Sequence, residues 1–297
     1  MGRDRLPILT PILILAIIPI SFLTPRVARI ALDLIPIALV LMMTLSMGGI
    51  QLRNLLHLRR ILRPVLISIS INLFFLTPLI LILAYIMPDL SLSHRLGFAI
   101  MAASPPAIAV VGYTKILRGD LRISILSNLL AYIMAFLYTP LLISWLTGRS
   151  LAAISEIGTA LLLYIVVPLL LSRAVSRIKG IQNLTRPVVI SLPILILYAA
   201  LGSNLNEIFI PSLALLEILV IGLSRTFISG SLVYYISLRR KIPSERVIVY
   251  SLFASYKNLG FAAALGLVLG GPATLIPIAI CVPFESLYFA ANLRRSS

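Results

Sequence analysis

The amino-acid sequence predicts an all-α integral membrane protein with ten transmembrane helices, arranged as two inverted repeats of five helices. Three observations support this fold class. First, 60% of the 297 residues are hydrophobic, only 11% are charged and the mean hydropathy is +1.09, whereas soluble domains are about 45–50% apolar and about 25% charged. Second, lysine and arginine are concentrated in alternate loops. Third, two predicted helices carry helix-breaking sequences at matching positions.

Hydrophobic runs separated by short loops predict the ten transmembrane helices, which we call spans. About 20 apolar residues are enough for a helix to cross a bilayer. The spans cover approximately residues 7–23, 28–48, 62–87, 95–117, 122–146, 152–172, 186–203, 211–237, 245–269 and 273–293. The whole chain, 1–297, is then one membrane domain, with a first repeat over 1–148 and a second, inverted repeat over 149–297.

The distribution of lysine and arginine predicts the orientation. Nineteen of the 25 fall at the termini or in the loops on one side, and two lie within spans. The other side holds the remaining four, which are Arg26, Arg29, Arg95 and Arg149. Because cytoplasmic loops are enriched in these residues, both termini are predicted to face the cytoplasm, with the chain in the cell (plasma) membrane. Topology thus accounts for the net charge of +16, so the expected environment is the lipid bilayer and nucleic acid is not expected as a partner.

Charged residues within the spans are candidates for a functional site. The stretch FASYKNLGFAAAL, residues 253–265, places Lys257 and Asn258 inside an apolar run. Arg225 lies deep in span 8 and Glu285 deep in span 10. Charges within a membrane usually pair or have a function. Glu285 could form a structural ion pair with Arg225 or Lys257, or these residues could form a proton relay or a substrate site.

Spans 4 and 9 are each predicted to be interrupted. At a constant offset of 151, Ala103-Ser104 aligns with Ala254-Ser255. Pro105-Pro106 follows the first pair and Tyr256-Lys257-Asn258 follows the second, and both sequences are poor helix interior. A simple proline kink is the alternative at the first position. Paired breaks in matching positions are typical of the binding sites of inverted-repeat transporters.

Span 5 adds further polar candidates, because Ser124, Ser127 and Asn128 share one helix face. They either bond to neighbouring helices or line the site. The complete set of predicted site residues is Lys257, Asn258, Ser255, Ser104, Pro105, Pro106, Glu285, Arg225, Ser127 and Asn128. With one cysteine, Cys281, and two histidines, His57 and His94, expected in loops, no metal or cofactor is predicted.

Three stretches and the ten-span layout resemble the bile acid:sodium symporter family. The stretches are MMTLSMGGIQLRNL (42–55), ASPPAIAVVGYTKILRGDLRIS (103–124) and SYKNLGFAAALGL (255–267). The layout covers the whole chain. The resemblance implies a panel domain of spans 1, 2, 6 and 7 that rocks against a core domain of spans 3–5 and 8–10, in which the discontinuous spans 4 and 9 cross.

The sodium ligands of that family are replaced in this chain. By resemblance, Val110 and Val111 occupy the positions of two polar ligands in span 4, and Phe253 and Lys257 those of a glutamate and a glutamine in span 9; Asn258 matches the family. Hard cations bind oxygen ligands, and these four side chains offer none. We therefore expect the ammonium of Lys257 to take the place of a bound cation and to compensate the negative ends of the half-helices.

The sequence thus predicts a secondary, alternating-access transporter of a small organic anion that does not use the sodium sites of the family, with protons as a candidate coupling ion. The alternatives are a sodium-coupled symporter with altered ligands, an arsenite-type efflux permease and a receptor-like relative without transport. By resemblance, arsenite permeases carry a cysteine in span 4 and a glutamate in span 9. This chain has Ser104 and Gly260 at those positions. No enzyme activity is expected, because the deep acids Glu217 and Glu285 do not form a convergent catalytic set.

The predicted topology can be tested by cysteine labelling. A cysteine introduced beside either terminus should react with a membrane-impermeant maleimide only after the cells are permeabilised, because both termini should face the cytoplasm. A cysteine at Arg149, in a loop predicted to lie outside, should react in intact cells. Labelling of the termini from the outside of intact cells would contradict the ten-span topology.

Overall fold

A computed structural model describes residues 6–47, 58–148, 151–178, 180–208 and 212–296. Within these ranges every regular element is helical, which confirms the all-α prediction. The part of the 42–55 stretch that follows Met47, together with His57, lies outside the described residues.

The described chain forms α-helices joined by short turns. In order they are α1 (Leu6–Leu23), α2 (Pro25–Leu32), α3 (Leu34–Met47), α4 (Leu58–Ser70), α5 (Thr77–Ile86), α6 (Leu92–Ala103), α7 (Ala109–Ile116), α8 (Leu121–Thr147), α9 (Leu151–Leu161), α10 (Val167–Val175), α11 (Gln182–Ser203), α12 (Leu205–Ile208), α13 (Leu213–Leu223), α14 (Ser229–Arg239), α15 (Ser244–Phe253), α16 (Leu259–Gly270) and α17 (Leu275–Ser296). Turns of π-helix connect α4 to α5, α9 to α10 and α13 to α14; they are π1 (Ile71–Leu76), π2 (Leu162–Val166) and π3 (Ser224–Ile228).

Among the described residues, five continuous helices are long and apolar enough to cross a membrane. They are Ile61–Ile86, Leu121–Thr147, Ile157–Val175, Leu213–Arg239 and Pro272–Leu293. The bent pair of α1 and α2 adds a sixth if it is counted as one span. The length and composition of these helices therefore indicate a membrane protein. The five helices coincide with predicted spans 3, 5, 6, 8 and 10.

The beginning of span 2 differs from the prediction of one helix over 28–48. Here α2 ends at Leu32 and the span continues as α3 after a turn at Asp33, while α2 is bent by 113° from α1. The polarity of α2 explains the separate helix, because Arg26 and Arg29 are exposed whereas Ala28 is buried. Such an amphipathic segment favours an interface over the apolar interior.

Both predicted interruptions are present, and neither is a simple kink. The chain leaves helical geometry between α6 and α7 and again between α15 and α16. The two interruptions, which we call the first break (residues 104–108) and the second break (residues 254–258), lie in contact. The backbone amide of Asn258 donates to the carbonyl of Pro105 at 2.8 Å.

The helices pack in two groups. In the first group α11 contacts α1, α2 and α3, and α10 contacts α3. In the second group α6 contacts α5, α8, α16 and α17, while α4 contacts α8 and α14 contacts α15. The groups meet where α1 and α11 lie against α17 and α3 lies against α16. Both breaks belong to the second group, so this group positions the candidate site.

Close packing in the first group depends on Gly202 in α11. A Cβ atom at this position would lie 2.4 Å from the Cβ of Ala28 and 2.7 Å from the carbonyl oxygen of Ser21. These distances are too short for real contacts, so α11 approaches the corner between α1 and α2 as closely as a glycine permits.

Substitution of Gly202 by alanine should therefore destabilise the protein by about 1–3 kcal/mol, the usual cost of overpacking. Thermal unfolding in detergent measures the effect. The control is Gly112→Ala in α7, where no heavy atom lies within 4 Å of the added Cβ. This control should be neutral or stabilising by up to about 1 kcal/mol, and equal effects of the two substitutions would contradict the packing argument.

Candidate functional site

The first break leaves backbone carbonyls without helical partners, and Pro105 and Pro106 have no N–H groups of their own. Donors from other segments bind these carbonyls. The pairs are Thr77 with Ala102 (3.0 Å), Thr139 with Ala103 (2.7 Å), Lys257 with Ser104 (3.0 Å), the amide of Asn258 with Pro105 (2.8 Å) and Asn128 with Ala107 (3.4 Å). Four side chains and one backbone amide thus bind the carbonyls around the first break.

The second break is satisfied in the same way. Its donors come from π1, π3 and α14. The pairs are Asn72 with Phe253 (2.8 Å) and Tyr256 (3.1 Å), Ser229 with Ala254 (2.7 Å) and Arg225 with Ser255 (2.8 Å). Both Asn72 and Arg225 lie in π-turns, and such turns often occur at functional sites.

The ammonium group of Lys257 is held in a cage of three neutral oxygens. Its Nζ atom lies 2.8 Å from Oδ1 of Asn72, 2.8 Å from Oγ1 of Thr77 and 3.0 Å from the carbonyl oxygen of Ser104. An ammonium group has three donors, so each donor has an acceptor. Lys257 is 0% exposed, and its charge therefore acts on its surroundings through its field and not through direct contact with a solute.

Arg225 and Glu285 form a buried ion pair through Nη2 and Oε1. Arg225 also donates to the sulfur of Met101 at 3.0 Å, and it is 0% exposed, whereas the Glu285 side chain is 13% exposed. Of the two ion pairs considered from the sequence, the structure contains the one with Arg225. Lys257 approaches the Glu285 carboxylate only with its backbone amide, at 3.4 Å.

Each buried cation lies at the C-terminal end of one half-helix. Lys257 binds the carbonyl of Ser104 just after α6, and Arg225 binds that of Ser255 just after α15. The C-terminal end of a helix carries a partial negative charge, so both positions favour a cation electrostatically.

Asn258 connects the second break to the first helix group. Its Oδ1 atom caps α16 by accepting from the amide of Phe261 at 3.0 Å, and its Nδ2 atom donates to the Tyr132 hydroxyl at 2.6 Å. The sulfur of Met43 in α3 lies 3.8 Å from Nδ2 and 3.9 Å from that hydroxyl. The site therefore borders the interface between the two groups.

The structure brings together most, but not all, of the residues predicted from the sequence. Asn128 reaches the first break, whereas Ser127 bonds to the carbonyl of Val65 in α4 at 3.4 Å and lies apart from the breaks.

Sequence reasoning missed Asn72 and Thr77, although the isolated amide in SINLFFLTP (70–78) of span 3 was an available signal. Val110 and Phe253 pack in an apolar cluster.

Two further polar residues lie outside the site. The Glu217 carboxylate accepts from the backbone amide of Asp89 at 3.2 Å and 3.3 Å. His94 was predicted in a loop, but it lies in the first turn of α6, buried, with Nε2 at 3.2 Å from Glu207. The cause is Ser91, whose hydroxyl accepts from the His94 amide and begins the helix earlier than the hydrophobic pattern indicated.

No protein-family model matches this chain, and no curated protein matches it. The resemblance to the bile acid:sodium symporter family therefore stays a prediction from sequence motifs.

Removal of one member of the ion pair should destabilise the fold. Glu285→Leu leaves the fully buried Arg225 without its counter-charge, and the loss of one member of a buried pair costs about 3–5 kcal/mol. The double variant Arg225→Met/Glu285→Leu removes both charges but leaves the Ser255 carbonyl without its donor, so it should recover only part of that loss. The free energy of unfolding of both variants is measured in a denaturing detergent. A double variant as unstable as Glu285→Leu would show that the loss does not come from the unpaired charge of Arg225.

Proposed function

We propose that this protein is a secondary, alternating-access transporter of a small organic anion in the cell membrane, in which Lys257 takes the place of a bound cation. The observation that carries the proposal is the cage of Asn72, Thr77 and Ser104 around the Lys257 ammonium, at 2.8–3.0 Å. Amide, hydroxyl and carbonyl oxygens are the ligands that a hard metal cation takes in proteins.

A tethered cation explains why the protein would not depend on sodium. The ammonium supplies the positive charge next to the C-terminal end of α6 without leaving the protein during a transport cycle. Val110 and Phe253 supply no oxygen at the positions where the resembled family binds sodium. The expected coupling ion is therefore the proton and not sodium.

The charge balance favours an anionic solute. Arg225 and Lys257 contribute two positive charges and Glu285 contributes one negative charge when all three are ionised, which leaves one positive charge in excess. Within a medium of low dielectric constant such a charge acts over several ångströms. A solute that binds beside the breaks would be stabilised if it carried a carboxylate or another anionic group.

The pattern of helix irregularities supports the inverted-repeat architecture. The two breaks lie in α6–α7 and α15–α16, and each follows a helix that carries a π-turn, π1 or π3. Asn72 in π1 and Arg225 in π3 are separated by 153 residues, close to the offset of 151 between the Ala-Ser pairs. We interpret the two helix groups as the panel and the core, with ten spans and both termini in the cytoplasm.

Transport by purified protein in liposomes tests the proposal directly. A panel of radiolabelled organic acids is supplied outside the vesicles, and sodium and pH gradients are imposed separately. We expect uptake of at least one organic anion that an inward sodium gradient does not increase and an inward proton gradient does. Uptake driven by sodium would contradict the tethered-cation interpretation, and no uptake of any organic acid would contradict the transport function.

Lys257→Ala should change the ion dependence of transport. The substitution leaves Asn72, Thr77 and Ser104 without the ammonium, so uptake should fall by about tenfold or more if as little as ~1.4 kcal/mol of the interaction is lost. Sodium or another monovalent cation, which can enter the emptied cage, should restore part of the uptake. The control is Lys115→Ala at an exposed lysine of α7, and a Lys257→Ala variant with normal, sodium-independent transport would contradict the assignment.

A further inference from the structure

A histidine and a glutamate join the two helix groups on the side that is predicted to face outward. His94 lies in the first turn of α6, in the second group, and Glu207 lies in α12, which follows α11 of the first group. The Nε2 atom of His94 is 3.2 Å from Oε2 of Glu207. The His94 side chain is 7% exposed and that of Glu207 is 46% exposed, so the glutamate forms the accessible end of this contact.

The start of α6 is held tightly within the second group. Arg95, the residue after His94, donates to four backbone carbonyls at the end of α5 and in the connection to α6. They are the carbonyls of Ala84 (2.8 Å), Tyr85 (3.1 Å), Met87 (2.6 Å) and Leu90 (3.2 Å). A Cβ atom on Gly97 would lie 2.3 Å from the carbonyl oxygen of Thr274, so α6 also packs directly on the turn before α17. His94 therefore has to move together with the second group.

Glu207 is connected to the first group in a similar way. Asn204, between α11 and α12, donates from Nδ2 to the carbonyl of Ala200 in α11 at 2.7 Å. The backbone amides of Glu207 and Ile208 donate to the Asn204 carbonyl at 3.1 Å and 3.2 Å. The same Nδ2 atom reaches the carbonyl of Pro272 in the second group at 3.2 Å. Separation of the two groups on this side would break this bond and the contact between His94 and Glu207.

The bonding pattern of His94 favours its neutral form. An ionised carboxylate only accepts hydrogen bonds, so Nε2 carries the proton that points to Glu207 and Nδ1 has none. Nδ1 is buried and has no hydrogen-bond partner among the described residues. Protonation of Nδ1 would create a buried donor without an acceptor, which costs free energy. The carboxylate of Glu207 offsets this cost only in part, because its charge is half-exposed and screened by water.

Electrostatics leads to the same conclusion. Burial lowers the pKa of His94 below its ordinary value, and the charge and hydrogen bond of Glu207 oppose this effect without reversing it. Glu207 is thus the charged group that acts on His94.

The other titratable groups near this end of α6 are few. They are Tyr85 of α5, Asp89 of the connection, Arg95 of α6 itself and Glu217 of α13. Tyr85 is exposed, and Arg95 and Glu217 bind backbone groups. The parts of α8, α16 and α17 that pack along α6, residues 139–147, 259–270 and 275–280, contain no titratable side chain.

We propose that His94 and Glu207 form a pH-sensitive latch between the two helix groups, which is closed while His94 is neutral and is released by protons from the outer side. After the groups separate, water reaches both nitrogen atoms of the imidazole, and the pKa of His94 returns toward its ordinary value of about 6.5. Because the closed state has the lower pKa, it is favoured above this value and is lost as the pH falls below it.

The latch deepens the proposed function and rests on it, because a latch of this kind acts on alternating access. It adds a control by the outer pH that does not involve the two breaks. Acid outside would favour the state that is open to the outer side.

Pulsed electron paramagnetic resonance on the full chain in lipid nanodiscs tests the latch. One spin label is attached to Leu23→Cys at the end of α1, in the first group, and the other to Tyr85→Cys at the end of α5, in the second group. These side chains are 81% and 83% exposed, whereas the native Cys281 is buried. The ratio of separated to closed molecules should rise by roughly threefold to tenfold between pH values of about 8 and about 5, since a difference of one pKa unit between the states is a tenfold change.

Two variants of the histidines separate the latch from a general effect of acid. His94→Gln keeps an N–H donor for Glu207 but gains no charge in acid, so its distances should be the same at both pH values. His57→Gln is the matched control, because it replaces the other of the two histidines and should keep the acid response. If His94→Gln folds poorly, Glu207→Gln tests the same contact. It removes the charge that offsets protonation of His94, so the separated fraction in acid should exceed that of the wild type.

An acid response of wild-type size in His94→Gln or in Glu207→Gln would overturn the latch. Wild-type distances that do not change with pH, or groups that come closer in acid, would also overturn it. The measurement needs no solute, so its failure would leave the transport of an organic anion untouched. Conversely, a lack of uptake in liposomes would leave the measured distances unchanged.

Discussion

Backbone carbonyls inside a membrane protein need donors from the protein, because the hydrocarbon region provides no water to bind them. The two breaks release such carbonyls at one place, and the donors that bind them come from π1, α5, π3, α8 and α14. This requirement explains why Thr77, Asn72, Ser229 and Thr139 are buried among apolar residues.

The same requirement organises the charges. Arg225 and Lys257 do more than supply hydrogen bonds, since each places a full positive charge at the negative end of a half-helix. One carboxylate, Glu285, balances one of them. A cage of neutral oxygens holds the other, and this difference between a paired and an unpaired cation is the physical basis for proposing an anionic solute and a tethered cation.

The bonds differ in strength between the inside of the second helix group and its border with the first. Within the second group the breaks are held by bonds of mostly 2.7–3.1 Å. At the border, beside Asn258, the first group contributes the thioether of Met43 at 3.8–3.9 Å. A thioether is a weak and adaptable partner. Relative movement of the two groups would therefore leave the geometry of the breaks intact, as the proposed alternating access requires.

The sequence by itself determined the properties that depend on local chemistry. Hydropathy identified a membrane protein, and Pro105-Pro106 and the stretch around Lys257 identified both breaks, because proline and poor helix formers act on the backbone wherever they occur. Only the tertiary structure decided which groups meet. Asn72 and Thr77 are 185 and 180 residues from Lys257, and the choice of Arg225 over Lys257 as the partner of Glu285 follows from packing of π3 against α17, which no local pattern encodes. The burial of Ala28 on one face of α2 was likewise decided by the tertiary structure, because α11 packs against that face at Gly202.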